Sequence, residues 1–262
     1  SGTSEVLGLM TDRPADAAGL LRVAWGRDLW QLGGPSQNGA DVVPWLARIT
    51  GTGAGEAFDA LLAGPRASSP VIFLPFLAGE RTPYWDSALR AAFLGLSRAH
   101  GPTDLAYAVL EGAAHAAKVI LDRAEAATGL PAREVRIGGG GSRSAVWRQI
   151  KADVLGRPVV MGASDEPGLS GCAALAFAAL GTFRDLAEAQ ETLFAPAAVH
   201  EPNPEAHAAH RHLHTLYEAA VEALAPLSRA LQGCAPPPLA LEGVSGDDFI
   251  PPPVPSHPRS TA

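Results

Sequence analysis

Four consecutive glycines, Gly138 to Gly141, constrain the fold of this chain more than any other feature. A short β-like run, Glu134 to Ile137, precedes them, and a helix with an apolar stripe follows Ser142 and Ser144. Glycine tolerates the backbone angles of a tight turn and lets a ligand approach the main chain. A helix that begins there directs free N–H groups and its positive dipole end at that ligand. The stretch predicts a strand–turn–helix unit at a ligand site, although tight packing alone would also explain the glycines.

Composition limits the classes of protein to which the chain can belong. Its 262 residues carry a net charge of −7, which argues against a nucleic-acid partner because such proteins need a basic surface. No apolar run reaches the roughly 18–20 residues of a membrane helix, and no signal peptide is recognisable. The two cysteines, Cys172 and Cys234, form no disulfide framework. We therefore expect a cytoplasmic protein without a membrane segment.

Apolar patterning predicts an α/β domain in which strands alternate with helices. Binding is then expected where strand ends meet helix starts. The predicted strands are Val6–Met10, Leu20–Trp25, Asp28–Leu32, Val71–Leu74, Phe93–Leu96, Glu134–Ile137 and Val159–Met161. The predicted helices are Asp41–Ile49, Glu56–Leu62, a long helix from Thr103, one after Ser144, Cys172–Leu180, Asp185–Glu191 and Glu205–Leu231.

Several local features carry more specific expectations. Thr103 is predicted to cap the long helix, and the residues from Gly33 to Gly39 are predicted to form a loop. The helix from Cys172 to Leu180 is apolar almost all round, which predicts a buried helix. Residues 1–231 are expected to form one domain, and the proline-rich residues 232–262 a disordered tail.

Common nucleotide-binding motifs are absent around the glycines. The dinucleotide fingerprint GxGxxG fails from either Gly138 or Gly139, and the chain contains neither a P-loop nor a protein-kinase motif set. A further loop, Pro75 to Asp86, is rich in prolines, aromatic residues and charged residues. Two interpretations are equally supported: the loop lines a site, or it packs against the core. His207, His210 and His214 share one helix face, which allows a metal site, but a solvated polar face is the better interpretation.

Five segments, taken in order, resemble the C-terminal half of the FGGY carbohydrate kinase family over residues 1–231. They are Gly2-Thr3-Ser4, LAGERTPYWDSALRAAFLGL, the helix from Thr103, IGGGGSRSAVWRQIKADVLGRPV and EPGLSGCAALAFAALG. The chain departs from the family pattern at Ala91, where a glycine is usual. Glu80-Arg81-Thr82-Pro83 is similar to the xylulokinase and gluconokinase members, whereas Tyr84-Trp85-Asp86 also occurs in glycerol kinases.

This resemblance implies a ribonuclease-H-like, actin-like ATPase domain with a mixed sheet and helices on both faces. It implies MgATP-dependent phosphorylation of a sugar such as a xylulose-like or gluconate-like substrate, with ATP or ADP and Mg²⁺ as cofactors. The sugar would be held by an N-terminal domain that lies outside this chain. The resemblance leaves open whether the protein forms a homodimer. No metal-ligating residues are predicted in this chain itself.

The resemblance also assigns roles to individual residues. The turn of Gly2, Thr3 and Ser4 corresponds to the β/γ-phosphate turn, and the segment of Gly139, Gly140 and Gly141 to the adenosine wall. Ser144 takes a position where relatives place a polar side chain near the adenine.

Gly79, Glu80 and Arg81 correspond to a loop that borders the nucleotide cleft. Arg81 is expected either to face the phosphates or to pair with Glu80.

The family's catalytic Asp lies in a Gly-Asp-Asn or Gly-Asp-Gln turn before the Gly-Thr-Ser turn. It is therefore expected upstream of Ser1, so that this chain supplies no catalytic residue and is inactive alone. A stand-alone module that binds ADP or a partner without catalysis is the alternative.

Overall fold

A computed structural model of the chain describes residues 3–26, 28–53, 55–164 and 166–235. Gly2, which was expected in the phosphate turn, and the residues from 236 onward, which belong to the expected disordered tail, lie outside these ranges. Residues through Gln232 belong to one compact unit, and a second unit begins at Gly233. Within the described ranges, no helix combines the length and apolar character that crossing a bilayer requires.

The described strands form three small sheets. In the first, β1 (Glu5–Thr11), β2 (Leu21–Ala24) and β3 (Trp30–Ser36) are antiparallel, with β3 in the centre. The second pairs β4 (Ile72–Leu74) with β5 (Ala92–Leu94), also antiparallel. The third is mixed: β6 (Val135–Ile137) runs parallel to β7 (Val159–Gly162), and β8 (Pro196–His200) runs antiparallel to β7. The predicted mixed α/β class is confirmed.

Gly33 and Gly34 lie within β3 and belong to the sheet, so the loop predicted from Gly33 was wrong at its start. A Cβ on Gly33 would lie 2.1 Å from the carbonyl oxygen of Leu7, and one on Gly34 would lie 2.4 Å from Oγ1 of Thr82. Glycine is needed here because neighbouring segments approach the strand closely, and not because the chain turns.

Seven described helices surround the sheets, and the third of them forms the centre of the core. They are α1 (Val42–Thr50), α2 (Glu56–Leu62), α3 (Pro102–Thr128), α4 (Ala145–Leu155), α5 (Pro167–Ala179), α6 (Leu186–Leu193) and α7 (Pro204–Gln232). Helix α3 packs against β1, β4, α1 and α4. Small residues allow this contact: a Cβ on Gly112 would lie 2.2 Å from the carbonyl oxygen of Phe73.

The start of α3 differs from the prediction that Thr103 caps it. The N-cap is Gly101, and the carboxylate of Asp104 accepts the Gly101 N–H at 2.8 Å. Pro102 occupies the first helical position, where its missing N–H removes no helical hydrogen bond.

Helix α5 is largely exposed, so the prediction of a buried helix was wrong. Ala174 is its one buried residue within the described chain. Leu169 is 69% exposed, and Leu180, which follows the helix, is 79% exposed. An apolar composition predicted burial, but these residues leave apolar surface unpartnered here.

Candidate functional site

The turn before β1 contacts the start of α1 through its backbone. The Gly39 N–H donates to the carbonyl oxygen of Thr3 at 3.0 Å and to Oδ1 of Asp41 at 3.0 Å. Thr3 is exposed and Ser4 half-buried, so both hydroxyl-bearing residues lie next to solvent. The first N–H groups of α1 therefore lie close to the turn of Thr3 and Ser4. Such N–H groups at a helix N-terminus favour the binding of an anion.

Asp41 adjoins this turn, and in the sequence it was noted as one of several available carboxylates without an assigned role. Burial raises the pKa of its carboxyl group, and hydrogen bonds from the backbone N–H groups of Gly39, Asp41 and Val42 partly offset that rise. The sequence showed only an aspartate at a predicted helix start, and aspartate is common at the N-terminus of a helix.

The glycine segment folds into a 3₁₀ turn, Gly140–Arg143, between β6 and α4. The N–H and hydroxyl of Ser142 both donate to the carbonyl oxygen of Gly139, at 3.0 and 2.7 Å. Gly139 has a φ of 86°, a left-handed value that favours glycine. The guanidinium of Arg148 donates to the carbonyl oxygens of Ser142 at 2.5 Å and Arg143 at 3.0 Å, so α4 braces the turn from behind.

The surroundings of Gly140 and Ser144 determine how a ligand can approach this turn. Gly140 is exposed, and a Cβ placed on it would meet no heavy atom within 4 Å. Ser144 caps α4, since its Oγ accepts the Trp147 N–H at 3.3 Å. The Ser144 hydroxyl proton stays available for a second partner.

A buried ion pair connects the two turns. The ammonium of Lys151 on α4 contacts Oε1 of Glu5, the first residue of β1. The side chain of Lys151 is 3% exposed and that of Glu5 is 11% exposed. The Lys151 ammonium also lies 5.1 Å from the centroid of the Trp147 ring. The strand that follows Thr3-Ser4 and the helix that follows the glycine turn are thereby held together.

The loop of Gly79, Glu80 and Arg81 supports the same region from another side. Glu80 is 4% exposed, and its carboxylate accepts the Gln37 N–H at 2.5 Å and the Ser36 hydroxyl at 2.9 Å. Burial raises the pKa of Glu80, and these hydrogen bonds work against that rise. Gly79 has a φ of 75°, and a Cβ placed on it would lie 2.7 Å from the Cα of Ser87.

The guanidinium of Arg81 does not pair with the Glu80 carboxylate among the described ion pairs. It donates instead to the carbonyl oxygen of Ser36 at 3.2 Å, while the Arg81 backbone N–H donates to Glu80 Oε1 at 2.7 Å. Both residues thus hold the segment that leads to Gly39.

Of the four histidines in α7, the three that were considered as a metal site have other partners. His207 Nδ1 lies 2.8 Å from the Asp153 carbonyl oxygen, and His214 Nδ1 lies 3.1 Å from Nδ1 of His115. The His210 ring packs edge-on against His115. Within the part of the chain that the structure describes, no group of three or more His, Cys, Asp or Glu side chains could hold a metal ion.

A cavity of about 550 Å³ lies beside the glycine turn, at the carboxyl ends of β6 and β7. Gly138, Ser164, Ser170 and Phe194 are among its lining residues. The cavity lies where strand ends meet helix starts, the place at which binding was expected, but its individual lining residues were not predicted because they come from separate segments.

Comparison with known proteins identifies relatives among sugar kinases. A model of the C-terminal domain of the FGGY family of carbohydrate kinases matches residues 1–180. The xylulose kinase of Escherichia coli K12 is 38% identical over 132 residues, 49% of this chain and 26% of that protein. The crystal structure of gluconate kinase from Lactobacillus acidophilus superposes with a TM-score of 0.77 at 30% identity, covering 88% of this chain and 47% of that one. Ligand-bound xylulose kinase from the same species gives a TM-score of 0.78 at 29% identity, with the same coverage.

These structures confirm the predicted actin-like ATPase fold. The chain spans about half the length of the solved relatives, and less of the E. coli protein. Because the family model covers more than half of the chain, this protein belongs to the FGGY family of carbohydrate kinases through its C-terminal domain.

Proposed function

We propose that this chain is the nucleotide-binding half of an ATP-dependent kinase that phosphorylates a xylulose-like or gluconate-like sugar. The substrate class follows the relatives, which are a xylulose kinase and a gluconate kinase. The observation that carries the nucleotide role is the Glu5–Lys151 ion pair, since it holds the turn of Thr3 and Ser4 beside the helix of the glycine turn. The two turns then flank one region.

In this proposal Gly2, Thr3 and Ser4 bind the β- and γ-phosphates. The exposure of Thr3 and the nearby start of α1 support the assignment, because hydroxyls and helix N–H groups stabilise phosphate charge. The carboxylate of Glu80 holds the segment from Ser36 to Asn38, and that segment leads to the Gly39 contact with Thr3. The cleft loop, Gly79 to Arg81, therefore acts on the phosphate turn indirectly.

The adenosine is proposed to lie against Gly139, Gly140 and Gly141, with the Ser144 hydroxyl near the base. Open space around Gly140 supports this assignment, since a planar group can approach the backbone there. The contacts of Arg148 to the Ser142 and Arg143 carbonyl oxygens keep the turn in one conformation before a ligand arrives.

Phosphoryl transfer also needs a carboxylate that takes the proton of the sugar hydroxyl. We assign that carboxylate and the sugar contacts to an N-terminal domain outside this chain. The described residues do not form a carboxylate or histidine cage for Mg²⁺. The ion would therefore enter on the phosphates of ATP, with water completing its coordination.

Calorimetric titration of the 262-residue chain tests the proposal. We expect weak binding of MgADP and no sugar-dependent ATP consumption by the chain alone. Absence of MgADP binding at about 1 mM would contradict the nucleotide role. ATP consumption that requires D-xylulose or gluconate would contradict the assignment of the catalytic carboxylate to another domain.

A further inference from the structure

Glu5 places a buried negative charge directly behind the proposed phosphate turn. It follows Ser4 in the chain, and successive Cα atoms are ~3.8 Å apart. Glu5 shares a face of β1 with Leu9 and Thr11, which are also buried. A carboxylate at such a position costs free energy unless it is paired, so an apolar residue would be the simpler choice. The charge therefore requires a compensating group.

Lys151 is that group in the described part of the chain. Its ammonium contacts Oε1 of Glu5, and no other cation pairs with this carboxylate among the described ion pairs. Because both side chains are almost fully buried, dissolved salt screens their charges poorly. Without Lys151, the field of an ionised Glu5 would act on any anion bound at Thr3 and Ser4.

We propose that Lys151 is a positioning residue for the nucleotide phosphates that acts by masking the charge of Glu5. Its ammonium neutralises Glu5, and it does not touch the nucleotide. This inference rests on the proposed function, because it presumes that Thr3 and Ser4 bind phosphate. It predicts that removal of the Lys151 charge weakens a ligand in proportion to the ligand's negative charge.

The test compares adenosine, AMP and ADP by calorimetric titration in EDTA, with the full 262-residue chain. Lys151→Met removes the charge and keeps most of the side-chain volume. We expect adenosine affinity within about twofold of the parent and ADP affinity about tenfold weaker, with AMP between them, since a tenfold change requires only a modest unscreened repulsion.

The double variant Glu5→Gln/Lys151→Met separates charge masking from a structural role. Neither side chain is then charged, so ADP affinity should return to within about threefold of the parent. If Lys151 acted only by bracing the two elements, the double variant would bind ADP as poorly as Lys151→Met, and adenosine binding would fall in parallel. Either result would overturn the inference.

A third variant keeps the test decisive if Lys151→Met does not fold. Glu5→Gln leaves the ammonium in place, and we expect ADP affinity equal to or above that of the parent. Tenfold weaker ADP binding by folded Glu5→Gln would overturn the inference. A parent chain that binds no ADP would instead overturn the proposed function, so the two failures are distinguishable.

Discussion

The Glu80 carboxylate accepts the backbone N–H of Gln37 at 2.5 Å, across 43 residues of sequence. The same carboxylate accepts the Ser36 hydroxyl, the Asn38 amide and the Arg81 N–H. Four donors thus converge on one buried acidic side chain. It fixes the segment before Gly39.

Replacement of Glu80 should therefore destabilise the chain. Glu80→Ala leaves four donors without their acceptor, and we expect a loss of about 3–5 kcal/mol in the free energy of unfolding. Glu80→Gln keeps one acceptor oxygen and should cost about 1–2 kcal/mol. Urea unfolding monitored by circular dichroism measures both. A loss below about 1 kcal/mol for Glu80→Ala would show that water replaces the carboxylate.

Gly140 allows the ligand site to be tested without disturbing the fold. Because a Cβ there meets no atom within 4 Å, Gly140→Val should leave the melting temperature nearly unchanged. The valine would project into the space proposed for adenosine, so adenosine and ADP should both bind about tenfold more weakly. Gly101→Val, at another glycine with open surroundings, is the control and should keep parental affinity for both ligands. Parental affinity of Gly140→Val for both ligands would contradict the placement of adenosine at this turn.

Stability should fall as the pH drops below about 6.5, the ordinary pKa of histidine. Burial, with smaller contributions from His214 and His210, holds the pKa of His115 well below that value. The unfolded chain therefore binds a proton that the folded His115 resists, so stability is lost from about pH 6.5 down to the lowered pKa.

The loss attributable to His115 approaches about 1.4 kcal/mol per pH unit within that window. His115→Gln removes this titration and keeps a hydrogen-bonding side chain opposite His214. Urea unfolding between pH 5 and 7.5 should give a shallower pH dependence for the variant than for the parent. Identical slopes would contradict the assignment.

The exposure of α5 predicts which leucines matter for stability. Leu180 is 79% exposed, whereas Leu110 on α3 is 1% exposed. We expect Leu180→Ala to change the free energy of unfolding by less than about 0.5 kcal/mol, and Leu110→Ala to cost about 2–5 kcal/mol. Thermal and urea unfolding of the pair check this difference. A cost for Leu180→Ala comparable to that for Leu110→Ala would mean that α5 is buried in solution.

Local sequence patterns predicted most of the elements around the site. The strand, glycine turn and helix around residues 138–144 follow from glycine conformations and a serine cap, both of which act over a few residues. Helix α3 was found by its apolar period, but its cap was assigned to Thr103 because a threonine hydroxyl can accept a helical N–H. In the structure Gly101 is the cap, and the Asp104 carboxylate accepts its N–H.

The contacts between distant segments could not be read from the sequence. Nothing local indicates that Lys151 meets Glu5, which lies 146 residues earlier. Glu80 was expected beside the cleft, but its role as the acceptor for residues 36–38 depends on how two loops pack. The exposure of α5 was missed because composition reports apolar character, and only tertiary structure reports which surface is covered.

We expect the two turns to bind different parts of the nucleotide. Thr3 makes its described internal contact through its backbone carbonyl oxygen, so Thr3→Ala should spare the fold and remove only a hydroxyl. We expect ADP to bind this variant about tenfold more weakly and adenosine to bind within about twofold of the parent.

Titration of adenosine and ADP into the parent, Thr3→Ala and Gly140→Val tests the central claim most directly. The account predicts that Gly140→Val weakens both ligands alike, whereas Thr3→Ala weakens ADP far more than adenosine. Equal losses for both ligands in both variants would contradict the assignment of phosphates to the Thr3 turn and adenosine to the glycine turn.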